Sequence, residues 1–170
     1  MNIKEIIHEN ENEKLVQDNE RKRRALNIII HGATEIEENH ITERNIEENK
    51  NDRDKEFIDT FLKTIGVAAN PLSITRLGSK SPEKTRPLRV KLQNESEKNT
   101  IMSRLSNLKN AEERYKKISV TDDYTIEERR TIKSWVERAN AKNNEETRAV
   151  IWKARGSPKN GMRLVSFAKR

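Results

Sequence analysis

Hydrophobic and polar positions change period several times along this chain, and each change marks an element. In Arg86–Leu92, Leu88, Val90 and Leu92 alternate with Arg89 and Lys91, the period of a half-buried strand with one apolar and one basic face. Leu26–Gly32 is β-branched and closed by glycine, which predicts a central strand. Leu26, Ile28 and Ile30 then face the core, and Asn27, Ile29 and His31 share the outward face with Arg89 and Lys91. Phe57, Ile58, Phe61, Leu62 and Ile65 fall on one helical stripe, predicting a helix over Asp54–Ile65 stopped by Gly66. That spacing assigns both phenylalanines to the core rather than to a ligand. Ser73–Gly78 reads as a short strand, followed by a polar turn holding Pro82. A helix capped by Asn94 or Ser96 carries Ile101, Met102, Leu105 and Leu108 inward. Tyr115-Lys116-Lys117 then leads into a fourth strand, Ile118–Thr121, ended by Asp122 and Asp123.

Strand-helix-strand-strand-helix-strand is the order of a ferredoxin-like, or split βαβ, sandwich. Right-handed crossovers place the first and third strands in the middle of such a sheet, with helices on one face. RNA-recognition motifs (RRMs) use the other face, stacking bases on aromatics of the two central strands. Here those positions are Asn27, Ile29, His31, Arg89 and Lys91, with no aromatic among them. The pattern therefore favours backbone contacts over base reading.

Three segments flank or interrupt this frame, giving an α+β organisation of N-terminal helix (1–24), RRM-like domain (25–123) and C-terminal domain (124–170). Met1–Arg24 reads as a polar helix whose few apolar side chains keep no sustained heptad. Its Arg21-Lys22-Arg23-Arg24 end is read as a nuclear-import patch, a phosphate contact or a solvated helix terminus. Ala33–Asn51, rich in Glu and Asn, repeats Ile36-Glu-Glu-Asn as Ile46-Glu-Glu-Asn and is expected to be a long loop. At the other end, Thr125-x-x-Glu128 is a capping box opening a helix with Ile132, Trp135, Val136 and Ala139 inward, and Arg129, Arg130, Lys133 and Arg138 outward. Arg148–Arg155 and Met162–Phe167 form an expected hairpin with a basic tip. Trp152 either packs on Trp135 or stacks on a base.

Composition narrows the chemistry. Of the 170 residues 37% are charged and 32% hydrophobic, so the core is modest; there is no cysteine, which excludes disulfides and thiolate metal sites. No apolar run approaches a membrane span, so an intracellular protein is expected, in the cytoplasm or nucleus. The net charge of +7 is uneven: residues 33–59 hold 4 Lys/Arg against 10 Asp/Glu, residues 71–170 hold 24 against 12. The basic excess in the second half suits a polyanionic partner or a merely solvated surface. His31 has no second His or Cys at ligand spacing, and the carboxylates of 33–51 form no cation-binding pattern. Asp122, Asp123, Glu127 and Glu128 resemble a two-metal carboxylate set, but their place at a strand end before a capped helix fits capping better. With no P-loop and no nucleophile pair, neither catalysis nor a metal or cofactor is expected.

Asn27-Ile-Ile-Ile-His-Gly-Ala-Thr-Glu35, Arg86-Pro-Leu-Arg-Val-Lys-Leu92, the Ile118-x-Val-Thr-x-Asp123-x-Thr125 junction and the arginines and Trp135 after it resemble the RNA-binding protein of the first open reading frame of LINE (non-LTR) retrotransposons. Trp152-Lys-x-Arg-Gly-x-Pro158 is similar to the terminal hairpin of RRM-like gag proteins in that family. The likeness spans roughly Ala25 to Phe167. It implies an RRM-like domain and a C-terminal domain that together clamp single-stranded RNA or DNA, with self-assembly and nucleic-acid chaperone activity in a ribonucleoprotein. Arg86, Arg89 and Lys91 would then be strand contacts; Asn27, His31 and Arg76 are further candidate contacts from the strands themselves. Arg129 and Arg130 would be phosphate contacts, and Lys153, Arg155, Lys159 and Arg163 the hairpin's share. The chain departs from the family in its short N-terminal helix and expanded acidic segment, which bears on oligomerisation. A reading of another class is a protein-interaction scaffold working through the N-terminal helix and the acidic segment.

Overall fold

The computed structural model describes residues 3–35, 46–81, 84–145 and 150–168, with side chains from Glu11 onward in the first stretch and from Asp52 onward in the second. Of the loop expected over Ala33–Asn51, residues 36–45 lie outside them, as do Pro82 and Arg148, while 46–51 are helical instead. The chain divides into two compact units, Lys22–Asp123 and Met1–Arg21 with Tyr124–Arg170. A polar helix α1 spans Ile3–Arg24, with Leu15 and Val16 exposed.

In the unit of Lys22–Asp123, β1 (Asn27–His31), α2 (Ile46–Ile65), β2 (Ser73–Arg76), β3 (Leu88–Lys91), α3 (Glu95–Arg104), the short α4 (Glu113–Lys116) and β4 (Ser119–Asp122) follow in order. The strands form a four-stranded antiparallel sheet in the order β2-β3-β1-β4, so the first and third strands are central. Register decides which side chains meet. Ile74, Val90 and Ile28 lie side by side across three strands, and Arg76, Leu88, Ile30 and Val120 make the next row on the same face. Onto this face pack Ile58, Phe61, Leu62 and Ile65 of α2, Ile101 of α3, Leu108 and Tyr115. Phe57 stacks on Phe61 with centroids 6.5 Å apart and meets Tyr115 at 6.2 Å. Each such buried side chain contributes about 1.5–3 kcal/mol.

Local signals set the helix ends. Asn94 caps α3 by accepting the Glu97 N–H at 2.9 Å. Gly66, at φ +73°, ends α2 in a Schellman turn: its N–H reaches the Lys63 carbonyl and the Val67 N–H reaches Leu62. The start of α2 departs from expectation, at Ile46 rather than Asp54. The apolar stripe begins only at Phe57, so the polar turns before it carry no periodic signal, while their acids favour a helix N-terminus.

In the other unit, α5 (Ile126–Glu145) opens with the predicted capping box. The Thr125 N–H donates to Glu128 Oε2 at 2.9 Å, and the Glu128 N–H donates to Thr125 Oγ1 at 3.2 Å. Glu128 Oε1 accepts from Arg21 Nε at 2.9 Å, which ties α1 to α5. Ala139 is buried and Ile132 and Trp135 are half-buried, whereas Val136, expected inward, is 43% exposed. Val136 lies at the rim of the stripe rather than within it. Strands β5 (Val150–Ser157) and β6 (Gly161–Ala168) pair as an antiparallel hairpin packed on α5. Among the described residues no helix is long and apolar enough to cross a membrane.

Candidate functional site

The twelve residues singled out from sequence divide by what their side chains touch. Arg76 shares strand parity with core residue Ile74, so it stands on the helix-covered face of the sheet. There its guanidinium meets Asp54 of α2 at 2.6 Å and donates to the carbonyls of Ala33 (2.7 Å) and Arg86 (2.8 Å). With 9% of the side chain exposed, it is a strut between sheet and helix, not an open contact. Arg86 has the parity of Leu88 and grips Glu35 from three nitrogens: Nη2 and backbone N at 2.8 Å, Nε at 3.1 Å. Hydrogen bonding from Arg86 pulls the Glu35 carboxyl down to about 2. The same pair raises Arg86 above its ordinary value.

Asn27 and Ile29, expected on the outward face, are each 7% exposed. Asn27 Nδ2 donates to Asp123 Oδ2 at 2.8 Å, and Arg24 holds the other oxygen of that carboxylate at 3.0 Å. Ile29 is mid-strand, flanked across the sheet by Arg89 and Thr121. His31, Arg89 and Lys91 do face solvent. Arg89 and Lys91 stand two residues apart on one face of β3, beside Thr75 and Ser73 of β2. Among the described residues neither makes an ion pair. The outward face is thus closed around Asn27 and Ile29 and basic beside them.

The second unit presents a more concentrated array. Arg129 is exposed on α5; Arg130, also exposed, is paired with Glu127. Residues 150–168 contain Lys153, Arg155, Lys159 and Arg163 but no Asp or Glu. Register places Arg155 directly opposite Arg163, with Lys153 on the same face. Like charges facing each other across a ladder destabilise it, and among the described residues no ion pair offsets them. Lys159 occupies the turn, closed by the Asn160 N–H to the Ser157 carbonyl at 3.2 Å, with Pro158 in the second position.

The opposite hairpin face, with Trp152, Ala154 and Leu164, is half-buried. Lys142 of α5 lies 4.1 Å from the centre of the Trp152 ring. Asn143 completes the attachment: its amide donates to the Trp152 carbonyl (3.0 Å) and accepts the Trp152 N–H (2.7 Å), standing in for a neighbouring strand. Trp152 is therefore a docking residue on the helix side. Phe167, to which its place in a strand assigns no role, is 42% exposed on the basic face. Its parity with Arg163, once the hairpin register is set, is the signal that finds it.

Each of the four carboxylates that suggested a metal pair meets a cation of its own. Asp122 meets Lys98 at 2.7 Å, Asp123 meets Arg24, Glu127 meets Arg130, and Glu128 meets Arg21. Among the described residues no group of three or more His, Cys, Asp or Glu could hold a metal ion. Set against known protein families and against characterised proteins, the chain matches none.

Proposed function

We propose that this protein binds single-stranded nucleic acid, RNA foremost, through its phosphate backbone and without catalysis. The observation that carries the reading is the acid-free hairpin face on which Arg155 opposes Arg163 beside Lys153. An anion laid against such an arrangement relieves its repulsion. Arg89 and Lys91 supply a second basic pair. The β2-β3-β1-β4 order with helices on one face supports a ferredoxin-like, RRM-like description of the sheet domain. Resemblance to LINE first-open-reading-frame proteins supports a role as ribonucleoprotein component and nucleic-acid chaperone. Arg76 and Arg86 are not part of the proposed interface, because both are held in intramolecular pairs.

Binding to homopolymer RNA across a salt series tests the reading. If Arg89, Lys91, Lys153, Arg155, Lys159 and Arg163 each neutralise a phosphate, log K falls with log salt at a slope of about −4. Replacing Arg89 and Lys91 by glutamine lowers the slope by roughly 1.4 and weakens all sequences alike. A slope near zero refutes the proposal. Exposed Leu15 (61%) and Val16 (67%) on α1 favour, as a second reading, a protein–protein contact such as self-association. A mass measurement by size exclusion on the same sample, repeated with both changed to serine, checks it.

A further inference from the structure

The hairpin face holds more than charge. The charged groups of Lys153 and Arg155 lie over the Phe167 ring, 5.9 and 5.4 Å from its centre, in cation–π contact. The cross-strand neighbour of Phe167, Ile151, is also exposed, at 37%. The other face carries Trp152, which meets Lys142 and Asn143 of α5. Here an aromatic ring is left partly in solvent, with two cations in contact with it. Backbone-tracking cations combined with an aromatic platform are what proteins use to hold single strands without reading sequence.

We infer that Phe167 is a base-stacking residue. One base of the bound strand lies on its ring while Lys153, Arg155 and Arg163 take the adjoining phosphates. This rests on the proposed nucleic-acid function and adds to it that the hairpin engages bases as well as phosphates. Stacking is indifferent to hydrogen-bonding edges but grows with ring area, so purine strands bind more tightly than pyrimidine strands, and both more tightly than a strand without bases.

The experiment uses the full chain and two fluorescent single strands of about 15 nucleotides, oligo-dA and an abasic strand with identical phosphates. Wild type binds oligo-dA about tenfold more tightly than the abasic strand. Phe167→Ala and Phe167→Leu each reduce that ratio to near unity, whereas Phe167→Trp keeps it. Because leucine retains the apolar bulk, loss in both variants reports the π-surface rather than folding. Arg155→Gln weakens both strands and keeps the ratio. A wild type that binds both strands equally, or a Phe167→Ala variant that keeps the preference, overturns the stacking assignment and leaves phosphate binding standing. A wild type that binds neither strand refutes the nucleic-acid reading itself.

Discussion

Arg76 and Arg89 sit on neighbouring strands thirteen positions apart in sequence, and the face each occupies gives them opposite duties. Arg76 is enclosed by Asp54 and three carbonyls, so Arg76→Ala leaves a carboxylate and three acceptors without their donor. That change costs about 3 kcal/mol in urea unfolding, and Arg76→Lys recovers little because an ammonium cannot span the same fork. The Glu35–Arg86 pair makes a pH-dependent contribution. Glu35 ionises in the fold at about 2, below its ordinary 4.5, so the stabilisation is complete above about pH 5. It is lost as pH falls from 4.5 toward 2. Glu35→Gln is thus less stable at neutral pH and loses less on acidification, a difference that unfolding curves at pH 7 and pH 3 measure. Strand parity already separates Arg76 and Arg86 from Arg89 and Lys91, so their structural role was readable from the neighbours Ile74 and Leu88. The burial of Asn27 was not, since it depends on Asp123 and Arg24, one of them far along the chain.

At the scale of elements, periodicity located the strands of the sheet, the three amphipathic helices and the hairpin, because each buries one face against something. Stretches that bury little left no such trace, which is why the first turns of α2 went unread. The hairpin depends on a position where side chains are excluded. A Cβ on Gly156, at φ +100°, falls 2.1 Å from the Gly161 carbonyl oxygen. Gly156→Ala therefore forces the two strands apart at the turn and costs about 1–3 kcal/mol. Thermal unfolding detects the loss, and nucleic-acid binding falls with it because the Arg155–Arg163 pair is displaced.

For the whole molecule, sequence order and spatial grouping differ. Residues 1–21 group with 124–170, and the Arg21–Glu128 contact joins positions 107 apart, a pairing that no local pattern announces. Charge follows position more simply, with the basic excess in the second half readable by counting. What counting misses is geometry, namely that the cations of β5 and β6 face one another with no acid between them. This facing pair gives dissolved salt two opposed effects. Added ions screen the Arg155–Arg163 repulsion and raise the melting temperature of the free protein. The same ions compete with a bound strand and lower its affinity. Stability and grip thus respond to ionic strength with opposite signs, and a polyanion such as heparin substitutes for the salt, raising the melting temperature at concentrations too low to screen.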